Sequence, residues 1–216
     1  MHQVIPRLHV SAPHDLGFGI VPLQARSWLL QRDDGNVLIY GAAAVDSDAA
    51  RAELAALGGV ERQYLNHSHE ASPASDRLGA PLLVHESDAA EVARTATVAH
   101  TFSRRHRVGD DLEVIPAPGH TPGATAYLWD AGGRRVLFTG DTIFVRHGEW
   151  VAALLDGISD REAYLESLAL LRGLDFDLLA PGVTPIEQPA WHDVAPGEAA
   201  RRIDAIIERV RAGADG

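Results

Sequence analysis

Two histidines one residue apart, His67 and His69, open the stretch LNHSHEASPASD at residues 65–76. A pair of imidazoles at that spacing is the start of a metal-binding loop. The residues that follow, Ala71 and Ser72, can ligate nothing firmly. Further along, the stretch PGHTPG at 118–123 frames His120 with two prolines and two glycines, directly after the apolar run LEVIPA. Such a loop is stiff where proline fixes φ and tightly turned where glycine permits it, so it presents one imidazole from a rigid frame. TGDT at 139–142 does the same for the carboxylate of Asp141, after the apolar run Val136, Leu137, Phe138. Taken alone, His120 reads equally well as a loop histidine bonded to backbone, and Asp141 as a cap or turn residue. Taken together, three imidazoles and one carboxylate, each on a loop after a strand, make a first shell suited to zinc or non-haem iron.

Those loops need a scaffold, and the pattern along the chain supplies one. Residues 27–31 and 37–40 flank the turn-forming 33–36 and read as a hairpin. A helix over 46–57 follows, capped by Asp46 or Ser47 and stopped by Gly58 and Gly59. Strands at 63–66 and 81–85 bracket the His67 loop, and a helix at 87–94 starts at Ser87. The second half is strand-rich: 112–117, 124–130 and 134–139. A helix then spans 160–171, with Ala163, Leu165, Leu168, Leu170 and Leu171 near helical spacing. A strand at 176–180 precedes a last helix at 198–211, whose Ile203, Ile206, Ile207 and Val210 form one apolar stripe that docks it on a sheet. Alternating strands and helices specify a layered α/β domain. The run VLIYGAA at Val37 echoes VLFTGDT at Val136, a hint of a duplicated β-rich half.

Composition narrows the chemistry. The chain has 216 residues, 46% hydrophobic and 23% charged, an ordinary globular balance. It is long enough to bury roughly 70% of its unfolded surface. No linker divides it, so a single domain over 1–216 is expected. A formal net charge of -11 without a basic patch argues against nucleic acid as a partner. There are no cysteines, so any metal must rest on His, Asp, Glu or water. The N-terminal residues lack a continuous apolar segment and no run approaches a membrane span. A soluble cytoplasmic protein, with a small molecule as partner and no membrane association, is the expectation.

The HxH loop, PGHTPG, TGDT about twenty residues later and the late Pro181-Gly182 resemble the metallo-beta-lactamase-fold superfamily, in particular its glyoxalase II-like hydrolases, over nearly the whole chain. The resemblance implies a four-layer αββα sandwich with a metal site at one edge of its two sheets. It also implies metal ligation by His67, His69, His120 and Asp141, with Asp141 taking part in catalysis. The departures are as informative. Relatives usually read HxHxDH where this chain has Ala71 and Ser72, and PGH where Val183 follows Pro181-Gly182. Tyr40 stands where an acid commonly supports the site from behind. One half of a two-metal site is kept and the other keeps only Asp141, so one divalent ion is expected, zinc rather than iron.

Three functions fit that half-site. The resemblance favours a mononuclear hydrolase of an ester, thioester or related acyl bond. An iron oxygenase resembling persulfide dioxygenases would use His67, His120 and Asp141. The third is a non-catalytic metal-binding or scaffold member, with the histidines kept as structural remnants in the scaffold case. A hydrolase that lost the acid at position 71 needs another base, and Glu70, Asp76 and His147 are candidates by position, each expected to be an ordinary surface residue. Trp150 and Phe144 fall where relatives place substrate-facing residues, with burial in the core as the competing reading.

Overall fold

The computed structural model describes residues 1–17, 22–186 and 188–214. The chain divides into two compact units, Met1–Ser103 and Arg104–Gly216.

The first unit is built on a seven-stranded sheet: β1 (His2–Ile5), β2 (Leu8–Val10), β3 (Trp28–Leu30), β4 (Val37–Ile39), β5 (Arg62–Tyr64), β6 (Leu82–His85) and β7 (Val98–Phe102), neighbours in that order. β1 to β4 pair antiparallel and β4 to β7 pair parallel. Strands β3 and β4 are buried at every residue, which is why their sequence runs apolar rather than alternating. The predicted hairpin is this β3–β4 pair. Helix α1 (Asp48–Ala56) makes the parallel crossover to β5, and its cap is Ser47, whose hydroxyl accepts from the Ala50 N–H at 3.1 Å. Asp46, the other capping candidate, instead receives Arg77 Nε at 2.7 Å and Arg51 Nη1 at 3.0 Å. The Arg77 hydrogen bond holds its carboxyl below the usual carboxylate range. Helix α2 (Glu86–Val92) is capped by the His85 ring, which accepts from the Ser87 N–H, and not by Ser87 itself.

The second unit holds a six-stranded sheet: β8 (His106–Val108), β9 (Leu112–Pro116), β10 (Thr125–Asp130), β11 (Arg135–Gly140), β14 (Leu178–Pro181) and β15 (His192–Asp193), again neighbours in that order. β8 to β11 form an antiparallel meander and β14 runs parallel to β11. A separate hairpin, β12 (Phe144–Arg146) and β13 (Glu149–Val151), precedes helix α3 (Arg161–Arg172). The final helix, α4 (Glu198–Ala212), buries Ile203, Ile206, Ile207 and Val210 in one core cluster, as its stripe requires. Each such side chain contributes about 1.5–3 kcal/mol of burial. In α3 the buried residues are Tyr164, Ser167, Leu168 and Leu171, while Leu170 is exposed. The inward face is therefore turned toward two hydroxyl-bearing residues, for a reason that lies in the site.

The sequence echo has a structural counterpart. β4 and β11 occupy equivalent places, each antiparallel to the strand before it and parallel to the strand after it. His67 and His69 follow β5 and Asp141 follows β11, strands with parallel neighbours, whereas His120 follows β9, which is antiparallel to both of its neighbours.

Candidate metal centre

In the first unit the chain leaves β5 through Asn66 and turns tightly at Ser68–Glu70, with the Glu70 and Ala71 amides returning to the His67 and Ser68 carbonyls. Buried Asp88 on α2 accepts the Ser68 N–H at 2.9 Å, which pins the turn between the two histidines. Gly41, just past β4, has to be glycine: a Cβ there would sit 2.5 Å from the Glu70 carbonyl oxygen. His67 is buried and His69 is exposed, with ring centroids 4.9 Å apart at 88°. The His67 Nδ1–H donates to the Asn66 side-chain oxygen at 2.8 Å. That bond fixes the tautomer and leaves Nε2 with its lone pair.

In the second unit the PGHTPG frame rests on α3. Ser167 Oγ donates to the Pro118 carbonyl at 2.6 Å, the Asp160 N–H to the Gly119 carbonyl at 2.9 Å, and Ser159 Oγ to the His120 carbonyl at 3.0 Å. Gly119 has φ +141, and a Cβ there would lie 2.5 Å from Tyr164 Cα. The imidazole of buried His120 donates from Nδ1 to the Ala153 carbonyl at 2.7 Å, again leaving Nε2 as the ligand atom. Tyr164 ties this frame to the next loop. Its hydroxyl accepts the Ala153 N–H at 3.0 Å and donates to the Thr142 carbonyl at 2.6 Å. These bonds explain why Tyr164 and Ser167, rather than Leu170, face inward. Asp141 stands with Oδ2 3.9 Å from His120 Nε2, its side chain 17% exposed. Gly182, beyond β14, packs against it, since a Cβ at 182 would lie 3.0 Å from Asp141 Oδ1.

His67 and His69 of the first unit and His120 of the second are imidazoles of the kind that hold a metal ion. The donor set fits, because two of the three rings have their second nitrogen committed to an oxygen acceptor, the arrangement that orients metal-bound histidines.

The other positions singled out in the sequence resolve one by one. Ala71 packs with the apolar cluster of Leu65, Leu82, Val84, Val92 and Ala96. Ser72 Oγ accepts the Ala74 N–H at 3.2 Å, and Val183 is half-buried. Asp76 is exposed and accepts the Thr97 N–H, and His147 is an exposed turn residue of the β12–β13 hairpin with φ +52. Trp150 is core: it is 3% exposed, stacks on Phe176 and lies under the Arg202 guanidinium. Phe144 is half-buried. Glu70 departs from the surface expectation, with its side chain only 11% exposed. Asn66, Asp88, Tyr164 and Ser167 are supporting residues that sequence reasoning passed over. Asn66 adjoins the HxH motif and was the one within its reach.

This fold and this histidine group define a class. The metallo-beta-lactamase superfamily model matches residues 62–183, and the chain belongs to that superfamily. It is 35% identical over 147 residues to a hydroxyacylglutathione hydrolase of Anaeromyxobacter dehalogenans, a match covering 59% of this chain and 51% of that protein. A hydroxyacylglutathione hydrolase of Pseudomonas putida is 33% identical over 90 residues, 41% of this chain and 29% of that one. The chain thus spans about half the length of the first relative and under a third of the second. Among solved structures, a metallo-beta-lactamase from Pontibacter korlensis superposes with a TM-score of 0.72 at 16% identity, covering 97% of each chain. A metallo-beta-lactamase family protein from Thermus thermophilus gives 0.68 at 18% identity, over 97% of this chain and 81% of that one. At such identities these structures establish the fold, which is the mixed α/β metallo-beta-lactamase fold the motifs implied.

Proposed function

We propose that the chain is a metal-dependent hydrolase of an acyl bond, a thioester or ester of a small molecule, working with one ion held by His67, His69 and His120. The observation that carries this reading is the setting of His67 and His120, whose Nδ1 atoms are each committed to an oxygen acceptor, so that Nε2 is left for a metal. Three neutral nitrogens with an open fourth position are the ligand set of catalytic zinc, whereas an iron facial triad calls for a carboxylate inside the shell. Zinc is the ion that this imidazole set favours, and Asp141, 3.9 Å from His120 Nε2, is the carboxylate beside it. When bound, zinc supplies a Lewis acid that polarises a carbonyl and brings the pKa of a bound water to about 7.

The chain's own contribution is proton handling. Asp141 Oδ2, 3.9 Å from His120 Nε2, is the carboxylate at hand to take a proton from the attacking water. As the water oxygen bonds to the acyl carbon and the carbon–sulfur bond breaks, Asp141 returns that proton to the departing sulfur. The thioester preference comes from the hydroxyacylglutathione hydrolase relatives. Among the described residues no helix is long and apolar enough to cross a membrane.

The test compares metal-free and zinc-loaded protein on a small acyl thioester, an aryl ester and a β-lactam. Thioester hydrolysis should appear with zinc and vanish with a chelator. Asp141→Asn should lower kcat by about 10²–10⁴ while zinc stays bound, the usual worth of a general base. Zinc-loaded protein that turns over none of the three substrates would instead favour a non-catalytic member of the superfamily.

A further inference from the structure

The buried carboxylate of Glu70 has a geometry that separates it from the catalytic groups. Oε2 accepts the Asn66 N–H at 2.8 Å, and Oε1 lies 3.6 Å from His67 Nδ1. Oε1 lies beside the Nδ1 of His67 and Oε2 holds the backbone of the residue before it, so Glu70 supports the ring from its Nδ1 side. Asn66 is the residue whose side-chain oxygen takes the His67 Nδ1–H. One carboxylate therefore holds the backbone of the residue that orients the imidazole, and also lays its negative charge along that imidazole. The position is enforced from below, since the Glu70 carbonyl fills the space a Cβ at Gly41 would need. Tyr40, one residue earlier, is held at φ +73, a conformation costly for an aromatic residue, so the end of β4 is shaped to press on this turn.

We propose that Glu70 is a positioning residue of the metal centre, fixing His67 through Asn66 and strengthening the imidazole as an electron donor by its adjacent charge. The inference rests on the metal-binding reading of His67, His69 and His120. Outer partners of metal-bound histidines typically tune metal affinity by 10- to 100-fold. Glu70 is given no role as a base.

The experiment measures zinc affinity of the whole chain by competition with a chelating dye, for the wild type, Glu70→Gln and Glu70→Asp. Absorption spectra of the cobalt(II)-substituted proteins and melting of the metal-free proteins are recorded beside it. Glu70→Gln keeps the size and one acceptor oxygen but removes the charge. It should bind zinc roughly 10- to 100-fold more weakly, with altered cobalt bands and an unchanged metal-free melting temperature. Glu70→Asp keeps the charge and should recover part of the affinity. Unchanged affinity and bands in Glu70→Gln overturn the inference while leaving the metal centre intact. Equal weakening in both variants with equally lowered metal-free melting also overturns it, because Glu70 would then only hold the loop together. A wild type that takes up no zinc removes the metal reading itself, a different failure.

Discussion

His120→Ala is expected to yield a folded protein that no longer retains zinc and whose thioester hydrolysis falls by about a thousandfold or more. The cause is the loss of one of three neutral ligands from a buried position. Without the ion, the attacking water keeps its ordinary high pKa in place of the value of about 7 that a bound zinc gives it. The structural cost is smaller. The substitution removes the Nδ1–H bond to the Ala153 carbonyl, worth about 0.5–1.5 kcal/mol, and leaves a small void. The bonds from Ser167, Asp160 and Ser159 to the loop backbone remain, and these should keep its course. Elemental analysis and circular dichroism on the same sample separate the two effects. Full zinc retention in a folded His120→Ala protein would place the metal elsewhere.

Gly119→Ala should be the most destabilising single-methyl change near the site. The added Cβ would lie 2.5 Å from Tyr164 Cα and 2.7 Å from both its Cβ and its backbone nitrogen, so no side-chain rotation relieves the clash. The backbone at φ +141 is moreover in a region that only glycine occupies readily. Helix α3 or the His120 loop must move. Overpacking of this kind costs about 1–3 kcal/mol and backbone strain adds a comparable amount. At roughly 2–4 °C per kcal/mol for a chain of this size, a melting temperature lower by about 5–15 °C is expected. Zinc affinity should fall with it, because Tyr164 links Ala153, which holds the His120 ring, to the Thr142 carbonyl beside Asp141. A Gly119→Ala protein that melts like the wild type would mean the loop is far softer than its hydrogen bonds imply.

The parts of this site that were legible in the sequence are the ones built by local constraint. His67 and His69 announce themselves by spacing, and His120 and Asp141 by the Pro and Gly residues that stiffen or sharpen their loops. The supports are less visible because they act across long sequence distances. Asp88 sits twenty residues past the Ser68 amide it fixes, and nothing in its helix marks it. Tyr164 and Ser167 disturb the apolar periodicity of α3 because their hydroxyls satisfy the Thr142 and Pro118 carbonyls. The apolar spacing of that helix therefore includes the exposed Leu170 and passes over both of them. Trp150 was ambiguous for a related reason, since its indole is buried by Phe176 and Arg202, both distant in sequence. Glu70 looked like a surface charge because glutamates usually are. Only the fold brings it against Asn66 and His67. The local rule also failed at the start of α2, where the His85 ring caps the helix ahead of the expected Ser87.

The absence of a carboxylate at position 71 has a physical counterpart in the first unit. Ala71 is not a vacant ligand position, because its methyl belongs to an apolar cluster with Leu65, Leu82, Val84, Val92 and Ala96. A carboxylate there would have to be taken out of water against aliphatic groups, at a cost that disfavours it. Under the mononuclear function proposed above, position 71 serves packing and not a second metal. The most direct test counts zinc ions per chain by native mass spectrometry and elemental analysis after metal stripping and equilibrium with buffered zinc. A mononuclear centre predicts one ion, lost when any one of His67, His69 or His120 is changed to Ala. Two tightly held ions per chain, or none with all three histidines in place, would contradict it.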